Sequence, residues 1–228
     1  AKDAAGYTDT QPIAGAQVKY EIVAYNIMGE SKAVSIQAAI PQKPSFKDTA
    51  DLTWAAGGID ALCGLGAITQ SSDRLFYPNR TITRAEFITM MLKTYGITPS
   101  GDYLFSLKDV PRNAWYYSYM MSAVQCGILI PDENGRVHPE AALTREDLAV
   151  FLANLLSYRG KAMNVYSQEV LNRYLDAYLI PEALRGVFAS LGADSIFPPQ
   201  GGQFLNYQAP VTRAEGAAVL YKFWRVYP

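Results

Sequence analysis

The chain has 228 residues, half of them apolar, and a formal net charge of −1. That length holds one or two domains with a real core. The balanced charge excludes the basic excess of a nucleic-acid binder and the acidic excess of a solvating tail. No window approaches the roughly 20 apolar residues that cross a bilayer, so direct membrane insertion is not expected. The sequence opens at Ala1 with neither methionine nor signal peptide, which fits a processed product or a fragment of something longer. Sixteen tyrosines are more than a core of this size needs, and rings with a polar tip suit surfaces that meet sugars or partner proteins.

Residues 1–41 read as β-structure. Val18, Tyr20, Ile22 and Ala24 alternate with Lys19, Glu21, Val23 and Tyr25, a period of two. A turn follows over Asn26-Ile27-Met28-Gly29-Glu30-Ser31, and Val34, Ile36, Ala38 and Ile40 alternate again. With the stretch from Tyr7 to Gly15 and with Pro41, this hairpin resembles the last strands of a fibronectin type III domain. Val18 departs from that resemblance, standing where the family commonly carries the tyrosine of its corner motif. Only about three strands fit here against the roughly seven of a whole sandwich, so one sheet face lacks its partner. An unpaired edge of this kind is a template for other surface-protein chains. Residues 42–44 read as a linker.

From residue 45 the pattern turns helical and repeats. Thr83-Arg84-Ala85-Glu86, Thr144-Arg145-Glu146-Asp147 and Thr212-Arg213-Ala214-Glu215 each precede a run of helix formers. An acid lies upstream of each arginine at near-constant distance: Asp48 by 36 residues, Asp109 by 36 and Asp176 by 37. Trp54 and Trp115 follow their acids by six residues, and Pro78 and Pro139 follow by 30. The third unit keeps Asp176, places Asn206 where the prolines stand, and has no tryptophan near residue 182. The units are expected at 45–100, 101–160 and 161–228, with an inserted, helix-like stretch near 157–173 opening the third. Repetition of this sort usually means that one unit cannot bury its own apolar face.

Phe46-Lys-Asp48, Trp54, Gly66-Ala-Ile68, Phe76-Tyr-Pro78 and Ile82-Thr-Arg-Ala-Glu-Phe87 together resemble an S-layer homology motif, present here in three tandem copies. The resemblance implies a mainly α fold, a pseudo-threefold three-pronged helical spindle beside the small N-terminal antiparallel β segment. It also implies a non-catalytic module that holds a surface or S-layer protein on a Gram-positive cell wall. The partner implied is secondary cell-wall polysaccharide, an anionic glycan often bearing pyruvylated N-acetylmannosamine.

In each phrase the threonine at the N-cap and the acid three residues on form a capping box. Thr83, Glu86, Thr144, Asp147, Thr212 and Glu215 are therefore expected to be structural. Arg84, Arg145 and Arg213 stand where a helix end is already positive, so each calls for a compensating anion. Either Asp48, Asp109 and Asp176 supply it as internal ion pairs, or a glycan carboxylate does. The ligand-binding set expected is thus Arg84, Arg145, Arg213, Asp48, Asp109, Asp176, Trp54 and Trp115, with the two indoles open to either sugar stacking or core packing. Grooves dominated by units one and two are expected to bind better. Trp224 and the pairs Met90–Met91 and Met120–Met121 read as core. Cys63 and Cys126 read as buried free thiols. A lone histidine, His138, makes no metal site, no cofactor is implied, and no catalytic arrangement is present. Two other readings stand beside the anchor: an assembly module without glycan binding, and the anchor end of a polysaccharide-degrading enzyme.

Overall fold

The computed structural model describes residues 17–26, 29–39, 46–49, 51–197 and 203–228, and the chain divides into two compact units, Ala1–Pro44 and Ser45–Pro228. In the first unit, β1 (Gln17–Ile22) pairs antiparallel with β4 (Val34–Ala39), setting Tyr20 opposite Ile36 and Ile22 opposite Val34. Between them β2 (Tyr25–Asn26) pairs with β3 (Gly29–Glu30) within the expected turn, whose Ile27 and Met28 lie outside the described residues. Ala24 lies outside the strands, where its N–H donates to the Ser31 hydroxyl. Period-two patterning puts Ile22, Val34 and Ile36 on one face, and all three are exposed. Ile40 and the stretch from Tyr7 to Gly15 lie outside the described residues.

The second unit is helical. Its main elements are α1 (Ala56–Gly64), α2 (Arg84–Thr94), α3 (Tyr117–Gln125), α4 (Arg145–Tyr158), α5 (Glu182–Ala193) and α6 (Arg213–Val226). Helices α2, α4 and α6 start on complete capping boxes: Thr83 with Glu86, Thr144 with Asp147, and Thr212 with Glu215. Each threonine oxygen accepts from the N–H three residues on, and each acid accepts from the threonine N–H. Two helix-end donors are thereby satisfied at once. The expected helix over 157–173 is smaller than its pattern suggests. Helix α4 ends at Tyr158, and a 3-10 helix covers only Gln168–Arg173.

The residues just before these three helices hold one another in a cycle. Ile82 N–H donates to the Val211 carbonyl at 3.1 Å, Val211 N–H to Leu143 at 2.8 Å, and Leu143 N–H to Ile82 at 2.9 Å, which closes a ring. The next donors run round the cycle in the opposite sense: Arg84 N–H to Ala141, Arg145 N–H to Ala209 and Arg213 N–H to Arg80. One residue further, Ala85, Glu146 and Ala214 donate to the carbonyls of Pro139, Tyr207 and Pro78. First-turn N–H groups have no partner within their own helix, so each helix finds acceptors in another repeat unit.

Packing follows the same cyclic order. Helix α3 lies against α2, α5 against α4, and α1 against α6. Each helix pair thus joins the second helix of one unit to the first helix of the next. The core runs through all three pairs, with Phe87, Ile88, Met91, Met120, Met121, Leu152, Phe188 and Phe223 fully buried, and Met90 is buried beside them. Trp224 is only half-buried, tilted against Tyr221 rather than in the core. Gly58 lets α1 approach α6 closely, since a Cβ there would meet the Tyr221 Cβ at 3.2 Å.

Truncating one ring-proximal core residue tests this interlocked packing. Phe87→Ala is expected to lower the unfolding free energy by about 3–5 kcal/mol. The urea transition of the helical unit should stay single, because its core is shared among all the repeats. A mutant that melts in two separate steps would contradict a common core.

Candidate functional site

The upstream aspartates do not pair with the arginines of their own sequence unit. Asp48 accepts the N–H groups of Phe76 and Tyr77, both at 2.8 Å. Asp109 does the same for Val137 and His138, and Asp176 for Leu205 and Asn206. Each carboxylate therefore ties together a loop closed across some 28–30 residues. Tyr77, His138 and Asn206 all adopt left-handed backbone, with φ of 59°, 52° and 52°. Such a conformation is costly for a tyrosine or histidine, and the aspartate's hold on the turn offsets that cost. The third unit's register follows from this. Asn206 matches Tyr77 and His138, and Tyr207 takes the place of the prolines, so the third unit carries one extra residue between its acid and its loop.

The arginines turn to neighbouring units because the ring hands each helix start to another repeat. Arg84 forms an ion pair with Asp147, donates Nε–H to the Val137 carbonyl at 3.0 Å, and lies 4.9 Å from the Phe151 ring centre. Arg213 approaches Glu86 at 3.8 Å and sits 4.8 Å over Phe76. Arg145 lies 4.4 Å over Phe197, and the carboxylates that favour its charge are Glu215 and Asp176. The compensating acid in each case is the capping-box residue of another unit. Thus Asp147 and Glu86 serve twice, as caps and as counterions.

Exposure separates the three. Arg145 is 2% exposed and sealed, against the expectation that it would face a ligand. The Arg84 side chain is 14% exposed and that of Arg213 is 22% exposed. Burial works against the charge of both Arg145 and Arg213, the acids around them opposing that effect. Trp54 and Trp115, left open between core and surface by the sequence, are 53% and 62% exposed. Trp54 immediately precedes α1, which packs on the Arg213 helix, and Trp115 precedes α3, which packs on the Arg84 helix. An open cavity of about 250 Å³ lies near the opposite end of α2 from Arg84, lined by Gly66, Lys93, Ile97 and Tyr119 among others, and includes none of the three arginines.

Arg80 escaped the sequence reading. Its guanidinium grips Glu86 with two hydrogen bonds, at 3.1 and 2.7 Å. Units two and three carry Ala141 and Ala209 at the matching positions, and that break in the repeat was the available signal. Burial raises the Glu86 carboxyl, but the Arg80 hydrogen bonds, the Thr83 N–H and the charges of Arg80 and Arg213 outweigh it and hold it below its usual range. Cys63 and Cys126 are free and half-buried rather than fully buried. Burial, with Asp60 adding to it, pushes the Cys63 thiol up to about 11. Among the described residues no three His, Cys, Asp or Glu side chains gather as a metal-binding group.

Two measurements check these electrostatics. A carboxyl depressed on folding contributes stability that is present above its unfolded pKa, about 4.3 for glutamate, and lost as pH falls through the folded value. Glu86→Gln should therefore be less stable than wild type at pH 7, and the gap between their urea midpoints should narrow as pH falls below about 4.3. For the thiol, iodoacetamide reacts only with the thiolate. Labelling at Cys63, followed by peptide mass, should be slow at pH 8 and should still be accelerating above pH 10.

Comparison with known proteins agrees with the repeat. Residues 45–88 and 106–149 match the S-layer homology domain model. The chain is 28% identical over 81% of its length to an amylopullulanase of Thermoanaerobacterium thermosulfurigenes, covering 10% of that protein. It is 27% identical over 73% of its length to the surface-layer 125 kDa protein of Lysinibacillus sphaericus, covering 14% of it. A cellulosome-anchoring protein of Acetivibrio thermocellus is 34% identical over 51% of this chain, which covers 26% of that protein. The chain thus spans between a tenth and about a quarter of these relatives. Its first two repeats thus match the S-layer homology domain model, and the relatives that share them include surface-layer, cellulosome-anchoring and polysaccharide-degrading proteins.

Proposed function

We propose that residues 45–228 form a three-pronged spindle of three S-layer homology motifs, the third diverged, which tethers a surface protein to a Gram-positive-type wall by binding an anionic wall polysaccharide. The ring through Ile82, Leu143 and Val211 and the cyclic helix pairing support the spindle. One observation carries the binding role: two of the three helix starts present a partly exposed arginine, on helices whose packing partners each follow an exposed indole. Guanidinium binds a carboxylate through two parallel hydrogen bonds, and an indole face stacks on a sugar ring. A pyruvyl ketal on an N-acetylmannosamine-type glycan offers that carboxylate beside a sugar.

In this reading Arg84 with Trp115, and Arg213 with Trp54, contact the glycan. Arg145 holds its helix pair together instead. Asp48, Asp109 and Asp176 shape the loops beside each arginine rather than touching ligand. The hairpin of residues 17–39 resembles the closing strands of a fibronectin type III domain, and its exposed Ile22, Val34 and Ile36 belong against a further layer of a displayed protein.

Sedimentation with purified Gram-positive walls tests the anchor, with walls stripped of their polysaccharide as the control. Wild type should pellet with intact walls only. Arg213→Ala should weaken retention by about ten- to a hundredfold, the size of one charged hydrogen-bonded contact. Arg145→Ala should instead lower the urea midpoint. Retention of the double variant Arg84→Ala/Arg213→Ala at the wild-type level would refute the arginine role.

A further inference from the structure

We infer that Arg80, found in the first repeat alone, is an affinity-determining positioning residue: it takes Glu86 out of competition for Arg213, leaving Arg213 to bind a carboxylate-bearing glycan. This rests on the anchoring reading above and names which of its sites is set up to bind, and why.

Glu86 is a capping acid placed between two arginines. Arg80 holds it bidentately at 3.1 and 2.7 Å, whereas Arg213 reaches it at only 3.8 Å, beyond a hydrogen bond. Arg84 faces the opposite situation, since its own counterion Asp147 is in direct contact with it. An incoming carboxylate there must displace a protein carboxylate from the guanidinium. At Arg213 the capping acid is held back by Arg80 to 3.8 Å, an ion pair without a hydrogen bond to displace.

The backbone fixes this arrangement. Arg213 N–H donates to the Arg80 carbonyl at 2.8 Å, so the two side chains leave adjacent points on the α6 start. Arg80 also donates to the Thr81 carbonyl, and its side chain is 42% exposed, open to solvent beside the half-buried Glu86. The other groups acting on Arg213 are Cys63 and Asp48. Burial keeps the Cys63 thiol protonated at neutral pH. Asp48 has its oxygens engaged by two backbone N–H groups, and each of the other loops carries a matching aspartate. Relative to the other two helix starts, the α6 start is therefore one positive charge richer, and Ala141 and Ala209 show why.

The experiment measures binding of purified wall polysaccharide carrying pyruvyl ketals, by isothermal titration, to wild type, Arg80→Ala, Glu86→Gln and Arg80→Ala/Glu86→Gln. Glutamine at the third helix position still completes the capping box, so the helix start is kept. Arg80→Ala should weaken binding by about three- to fivefold, the upper scale of one partly exposed ion pair, as Glu86 closes on Arg213. The double variant should bind within about twofold of Glu86→Gln alone, because once Glu86 is neutral there is nothing for Arg80 to hold away. Simple loss of structure at Arg80 would not be rescued by a second substitution. Unchanged binding by Arg80→Ala, or no recovery in the double variant, overturns the role of Arg80 while leaving the anchor standing. Absence of binding by wild type itself overturns the anchoring reading, and this inference falls with it.

Discussion

Everything in the helical unit depends on how three helix starts satisfy their backbone donors. An α-helix leaves its first N–H groups without internal partners. Here the capping threonine takes one, the capping acid takes the cap's own N–H, and the carbonyls of another repeat take the next two. Ile82, Leu143 and Val211 bond each other in a closed cycle, so no single repeat has a complete set of acceptors. That constraint explains why the sequence repeats. One unit alone leaves its second helix uncapped by carbonyls and its first helix without a packing partner.

The same constraint places the arginines. A cation at the first helical position opposes the helix dipole and needs an anion close by. Because each start is embedded in the loop of another repeat, the anion at hand is that repeat's capping acid, not the aspartate upstream in sequence. A residue such as Asp147 then stabilises two things at once, its own helix and the junction with the first unit. Removing it outright costs both, so a capping acid reports on ligand binding only through a glutamine that keeps the cap, whereas the partly exposed arginines and indoles can be truncated directly.

Much of the fold was legible in the sequence because its signals are local. Capping boxes at Thr83, Thr144 and Thr212, the apolar methionine pairs and the period-two hairpin depend on neighbours within a few residues. The exchange of partners between repeats was not legible. A constant spacing of 36 or 37 residues between aspartate and arginine reads naturally as a contact, yet it reflects only the shared layout of each repeat. The aspartates instead bind N–H groups in loops whose left-handed turn residues, Tyr77 and His138, carry no glycine or asparagine to announce them. Asn206 does favour that conformation, and it marked the right turn under the wrong register.

The asymmetry among the three starts also lies where a repeat-based reading does not look. Searching for the shared phrase ranks Arg145 with Arg84 and sets Arg213 below them, since the third unit is the most altered. Burial reverses that order. Phe197 closes over Arg145, from an α5–α6 segment that belongs to the diverged unit itself. Divergence in the third unit has therefore sealed the start next to it, that of the second unit, and left its own arginine in the hands of the well-kept first unit. In a cyclic array each site is built from two repeats, so a change in one repeat is felt at the site its neighbour contributes to. Resemblance of a single repeat to its family is then a weak guide to whether that repeat's arginine can meet a ligand, and the identity of the next repeat in the cycle is a stronger one.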